Sequence, residues 1–189
     1  MFEFLLPFDL FMARVAAGLR SSCGSVLTPV MKVITLSGNI GAIFVICAVV
    51  MLFFKSTRKA AVSALVALLF GLLFTNAILK NVIARERPFA DATSEFYSFW
   101  KAAGGLTENG YSFPSGHTTA ATAFGVSLFI QKNKRYSWLF LLIPVVMGFT
   151  RIYFVVHYAS DVIGGFIIGG AAATLSYFVV RALSKRFHL

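Results

Sequence analysis

A chain of 189 residues is long enough for one domain, but 58% hydrophobic against 13% charged residues, with mean hydropathy +0.81, excludes an ordinary soluble globule and points to a membrane protein. The formal charge of +10 would suit nucleic acid only if the basic residues clustered on a water-exposed module, and they do not. Cys23 and Cys47 give no disulfide framework and read as packing residues, no metal-ligand set containing Cys is present, and the N-terminus lacks the pattern of a cleaved signal peptide.

In chain order, residues 2–19 are apolar but interrupted by Glu3, Pro7, Asp9 and Arg14, which fits an amphipathic helix in the membrane interface better than a clean crossing. Residues 21–25 form a polar break and residues 26–32 a second short helix. Residues 1–32 are therefore set apart as an interfacial segment, with an extra crossing left open, from a membrane-embedded domain over 33–189. Residues 33–54 carry no charge over 22 positions, enough to cross a hydrocarbon layer of roughly 30 Å. The basic loop KSTRK follows, then a second uncharged span over 60–79, closed by Lys80. Residues 80–113 make the longest connection, with Phe89, Phe96, Tyr97, Phe99, Trp100 and Tyr111 suited to a membrane interface or to gating lipid entry. A third span runs over 114–130, a fourth from 136 to about 149, and a fifth over 162–180, where Gly165 and Gly169 predict close packing against another span. The predicted fold class is all-α, a polytopic membrane helical bundle with five or six transmembrane helices.

The charges assign sides. Lys55, Arg58, Lys59, Lys132, Lys134, Arg135, Arg181, Lys185 and Arg186 fall on one face without an acid among them, and the positive-inside rule makes that face cytoplasmic. All seven acids and the other basic residues fall opposite, including Lys80, Arg87 and Arg151. Cations displaced in this way, together with His117 and His157, ask for an anionic partner.

Three segments at the outer ends of different spans carry the chemistry. In KNVIARERP, Lys80 and Arg87 are seven residues apart and on a continuing helix would share a face about 10 Å apart. In YSFPSGHTTA, Pro114 suits a first helical turn and Ser112 or Ser115 can cap it, so the backbone at Gly116 offers donors to an anion beside His117. In RIYFVVHYASD, Asp161 follows His157 by one helical turn and can fix the ring's tautomer. Phosphoryl transfer needs neutralised oxygens, an in-line nucleophile and an acid for the leaving oxygen. Lys80, Arg87 and Arg151 would hold the oxygens, with the Ser115 hydroxyl and the Gly116 N–H adding donors. His157, oriented by Asp161, would attack phosphorus. His117 would protonate the leaving group and then activate water. Three fixed cations can supply the electrostatics, so no metal or other cofactor is demanded.

Lys80 through Arg87-Pro88, then Pro114-Ser115-Gly116-His117, then Arg151 through His157 to Asp161 resembles the three-part signature of the type 2 phosphatidic acid phosphatase (PAP2) superfamily. The resemblance covers residues 80–161 and, through the span pattern, most of the chain. It implies a metal-independent phosphatase with the roles just given and a helical membrane fold with its site at the outer surface. One position departs: Thr150 stands where the third motif usually has Ser, and it keeps a hydroxyl donor. The superfamily's soluble haloperoxidases and acid phosphatases do not fit five apolar spans.

Small members of that family include undecaprenyl diphosphate phosphatases and phosphatidylglycerophosphate phosphatases. An outward-facing site in the cell membrane suits recycling of a polyprenyl carrier, so undecaprenyl diphosphate is the first expectation, with phosphatidylglycerophosphate or phosphatidic acid as the alternative. The expected partners are a lipid phosphate substrate and membrane lipids, not nucleic acid. An anion or lipid-phosphate transporter would use the same cations and histidines, but no charge lies at mid-span to mark a path.

Overall fold

The computed structural model describes residues 2–132 and 135–187; Lys134 of the basic face lies outside them, as do the side chains of Lys132, Lys185 and Arg186. The described residues contain eight α-helices and no strand. Helix α1 (Leu6–Ser37) has Pro7 in its first turn, where a missing N–H costs nothing. It runs through the expected break at residues 21–25 as one helix, kinked at Cys23 by a non-helical φ of −138°. A 3₁₀ turn (Asn39–Gly41) separates it from α2 (Ala42–Leu52), and the two helices meet at a bend of 62°. The uncharged stretch 33–54 is therefore not a straight crossing. Gly41, at φ +72°, supplies the left-handed residue that the corner requires.

Helix α3 (Arg58–Leu73) continues through a π-helical segment (Phe74–Leu79) into α4 (Lys80–Ile83), giving one apolar run of 26 residues. It stops at Ala84, whose φ of +48° turns the chain away while its N–H still bonds to the Lys80 carbonyl at 2.9 Å. Arg87 is thus not on a continuing helix with Lys80, as the spacing suggested. It reaches the site from an irregular segment, consistent with the bias of a residue before proline against helical backbone.

The short helix α5 (Glu95–Ala102) is capped by Ser94, whose Oγ accepts the Tyr97 N–H. Phe89 stacks on Trp100 at 4.9 Å, and both pack with Leu106 against Tyr153, Phe154 and Val156. These aromatic residues of the long connection therefore cover the loop that carries His157. An exposed Arg14–Glu95 pair at 2.8 Å links α1 to α5.

Helix α6 (Gly116–Lys132) lies at the centre, against α3, α7 (Leu142–Tyr153, preceded by the 3₁₀ turn Ser137–Leu141) and α8 (Ala159–Phe187). The core at these crossings is made of small residues: Ala64, Ala67, Ala120, Ala123 and Ala173 are fully buried. Close packing is required there, because a Cβ at Gly165 would come within 2.8 Å of Thr118 Cβ and one at Gly169 within 2.6 Å of Thr122 Cβ. The expected use of Gly165 and Gly169 as a packing seam is met by α6. By length and composition, two helical runs among the described residues, Arg58–Ile83 and Ala159–Ser184, can cross a membrane, or three crossings if the bent α1–α2 pair makes one.

Candidate active site

The three segments converge at one end of the bundle. Lys80, Arg87, Gly116, His117 and His157 all line one cavity of about 840 Å³. Arg151, 1% exposed, reaches Glu108 of the cavity wall from the last turn of α7, and Asp161 stands behind His157 in the first turn of α8.

His157 sits in the loop between α7 and α8, not on α8. In that loop Val155 adopts φ +54°, a left-handed conformation that a β-branched residue takes only under constraint from its surroundings. The ring has two different sides. Nδ1 lies 3.4 Å from Asp161 Oδ2 and 3.4 Å from Ser112 Oγ. Nε2 lies 3.4 Å from Arg87 Nη1 and 3.6 Å from Glu108 Oε2. An arginine only donates, so the arrangement favours the proton on Nδ1 and a lone pair on Nε2, facing the cavity. Burial, reinforced by Arg87 and Arg151 and opposed by Asp161, lowers the His157 pKa to about 3, so the ring is neutral at pH 7.

Asp161 is held on both oxygens. Oδ2 accepts the Tyr158 N–H at 2.9 Å and the Ser112 hydroxyl, while Oδ1 accepts Arg85 Nη1 at 2.6 Å. Arg87 uses its whole fork: Nε bonds to the Gly110 carbonyl at 2.9 Å, Nη2 to Asn109 at 3.0 Å and Nη1 to Val156 at 2.8 Å. Burial lowers the Arg87 pKa to about 10, which leaves it cationic at neutral pH. Arg151 donates to Thr35 of α1 and to Glu108, and its Nε is buried without a hydrogen-bond partner among the described residues. The buried Nε2 of His117 is likewise unpartnered. Two buried nitrogens are thus left unpaired among the described residues, one on His117, which lines the cavity, and one on Arg151, which holds the lining residue Glu108.

Other expected residues have different surroundings. Ser115 caps α6: its Oγ accepts the Thr118 hydroxyl at 3.0 Å and the Thr118 N–H at 3.4 Å, and its own N–H is spent on the Asp161 carbonyl at 3.1 Å. Gly116 lines the cavity at the N-terminus of α6. Thr150 does not offer its hydroxyl to the cavity: it donates to the Met147 carbonyl at 2.7 Å, one turn back in its own helix.

Glu108 is the principal residue that the motifs did not reveal. Its carboxylate contacts Arg151, lies 3.1 Å from Arg87 Nη1, 3.6 Å from His157 Nε2 and 3.9 Å from His117 Nδ1. An anion of the chain's own thus sits among the two arginines and both histidines. Among the described residues, no group of three or more His, Cys, Asp or Glu side chains is placed to hold a metal ion. Beyond the charged end, the cavity continues along leucines of α3 (Leu65, Leu68, Leu69, Leu72, Leu73) facing Val45 of α2.

A family model described as the PAP2 superfamily matches residues 60–185. The chain is 30% identical over 135 residues to a lipid A 4'-phosphatase of Bacteroides thetaiotaomicron, covering 68% of this chain and 59% of that protein. It is 28% identical over 127 residues to an undecaprenyl-diphosphatase of Sulfolobus acidocaldarius, covering 67% of this chain and 58% of that protein. It thus spans a little under three fifths of the length of either relative. Among solved structures, the transmembrane PAP2-type phosphatidylglycerolphosphate phosphatase of Bacillus subtilis superposes with a TM-score of 0.60 at 25% identity, covering 99% of this chain and 98% of that one.

Proposed function

The chain belongs to the PAP2 superfamily, and on that premise we propose that it is an integral membrane phosphatase that hydrolyses a phosphate monoester or diphosphate of a lipid through a phosphohistidine. His157 Nε2 attacks phosphorus, the bond to the leaving oxygen breaks, and His117 gives that oxygen a proton. Water then attacks the phosphohistidine, His117 takes its proton, and inorganic phosphate leaves. Asp161 keeps the His157 proton on Nδ1 and stabilises the charge that the ring acquires. Lys80, Arg87 and Arg151 carry the phosphoryl oxygens, with the Ser115 hydroxyl and the Gly116 N–H as further donors at the start of α6.

The observation that carries this reading is Glu108: a carboxylate held by Arg87 and Arg151 beside both histidines supports a surrounding suited to the oxygens of a phosphoryl group. The apolar continuation of the same cavity supports a lipid over a water-soluble phosphate. Undecaprenyl diphosphate is the first substrate we assign, followed by phosphatidylglycerophosphate and phosphatidic acid; the relatives also make lipid A phosphates a necessary comparison. We further assign five or six crossings and residues 1–32 as an interfacial segment from the pattern of apolar stretches, and a site facing away from the cytoplasm in the cell membrane from the charge asymmetry of the loops.

The test is phosphate release by the purified protein in detergent, with chelator present, from each of these lipids, beside His157→Ala. Turnover by the wild type and none by the variant is expected, and the ratio of rates names the substrate. Phosphate release that survives His157→Ala, or that requires added divalent metal, overturns the mechanism.

A further inference from the structure

Behind the cavity Asp161 belongs to a second charged cluster whose other members, Arg85 and Asp9, take no part in the steps above. Arg85 Nη1 donates to Asp161 Oδ1 at 2.6 Å and to Ser160 Oγ at 2.7 Å, and Nη2 donates to Asp9 Oδ2 at 2.9 Å. Asp9, from the first turn of α1, accepts the Ser160 N–H and the Ser160 hydroxyl, each at 2.8 Å. The guanidinium is sandwiched between Phe2, 4.3 Å from its ring centre, and Tyr158 at 3.8 Å. Asp9 and Asp161 are buried and Arg85 nearly so, which makes this a closed network rather than a surface pair.

Two features connect it to the reaction. The first is geometric. Asp161 turns Oδ2 toward the His157 ring, and a carboxylate keeps an oxygen aimed at a neighbour only if rotation about its last bond is restricted. Tyr158 and Ser112 hold Oδ2 and Arg85 holds Oδ1. The second is charge. Asp9, Arg85 and Asp161 together sum to one negative charge, which the cationic ring of a phosphorylated His157 would complete to zero.

We infer that Arg85 and Asp9 are positioning residues of the phosphatase reaction, acting through Asp161 to fix the tautomer of His157, so that the N-terminal helix forms part of the catalytic apparatus. This rests on the nucleophilic role proposed for His157. It places a functional residue, Asp9, outside the 60–185 stretch that the family model matches.

The experiment compares Arg85→Gln, Arg85→Lys, Asp9→Asn and Asp161→Asn, with the Arg85→Gln/Asp161→Asn double variant, by lipid phosphate turnover and by the ¹⁵N signature of the His157 imidazole. Arg85→Gln lowers kcat roughly 100-fold with KM changed less than about threefold, as expected for a loss felt in the transition state alone. Asp9→Asn lowers kcat roughly tenfold, and Arg85→Lys recovers part of the loss. In the Asp161→Asn background, Arg85→Gln costs less than about threefold, since the group it orients is already gone. The imidazole signal changes from the Nδ1–H form to a mixture of tautomers in Arg85→Gln.

Equal losses from Arg85→Gln with and without Asp161, or a wild-type tautomer in Arg85→Gln, overturn the inference. Should Arg85→Gln fail to fold, Asp9→Asn, which leaves the Arg85–Asp161 contact in place, decides by the same two readings. Turnover equal in wild type and Asp161→Asn would instead refute the reaction scheme. The tautomer reading still judges the Arg85 linkage in that case, because it needs no substrate.

Discussion

Arg87→Lys separates charge from geometry in the phosphate cradle. Its guanidinium reaches three carbonyls from three nitrogens, Gly110 and Asn109 on one loop and Val156 on the loop that carries His157, and also touches Glu108. It therefore braces two loops against each other as well as carrying charge. A lysine ammonium keeps the charge but donates from one point, so it can serve one side of that bridge only. Two of the three carbonyl bonds are lost. At about 1.5 kcal/mol for each charge-assisted bond, the low end of the usual range, the deficit is about 3 kcal/mol. With tenfold in rate for about 1.4 kcal/mol, kcat/KM should fall by about 100-fold. The assay is phosphate release from the preferred lipid in detergent, with the thermal unfolding midpoint measured in parallel. A variant within about threefold of wild type would show that charge alone suffices and that the bracing of the two loops has no catalytic consequence.

Glu108→Gln removes the internal anion that a phosphate must displace, and competitive inhibition by inorganic phosphate should tighten by about fivefold, the equivalent of about 1 kcal/mol for one modest ion pair; an unchanged or weaker inhibition constant refutes the competition. Gly169→Ala drives a Cβ to within 2.6 Å of Thr122 Cβ in the α6–α8 seam and should destabilise the fold by about 1–3 kcal/mol, read as a lowered unfolding midpoint. At the neighbouring Gly170 an added Cβ would meet nothing within 4 Å, so Gly170→Ala should leave the midpoint unchanged or raise it, gaining up to about 1 kcal/mol of helix propensity.

The ordered motifs made most of the site legible, because Lys80, Arg87, Gly116, His117 and His157 are identified by type and spacing and do line one cavity. What spacing could not give was the route by which they meet. A helix through Lys80 to Arg87 was the simplest continuation, and a left-handed alanine at residue 84 ends it. Glu108 escaped because it stands in a loop with no periodicity; the available signal was an acid in the one segment that joins the displaced cations to His117. Asp9 was read as an interruption of an apolar stretch when it is a buried partner of Arg85, and an acid in an apolar run with no cation three or four residues away was the sign that its partner was distant. Thr35 and Ser112 became visible as contacts of Arg151 and Asp161 only with tertiary structure.

The uncharged stretch 33–54 shows why hydropathy fails at such a place. Its composition permits a straight crossing, yet the chain breaks at residues 38–41 against the first turns of α6. A Cβ at Gly38 would stand 3.1 Å from the His117 ring and 2.9 Å from Met147 Sδ, and one at Gly41 3.2 Å from Ala120 Cβ. The end of α1 can approach His117 this closely only without side chains at those positions. The same approach brings Thr35 to Arg151, while the 62° bend turns α2 to set Val45 across from the α3 leucines. One corner therefore supports a cation of the polar end and forms a wall of the apolar continuation. A straight helix could not follow both directions. The hydrophobic pattern records only that both parts of the stretch are apolar; the two glycines, which carry no hydrophobic signal of their own, determine that they serve different ends of the cavity.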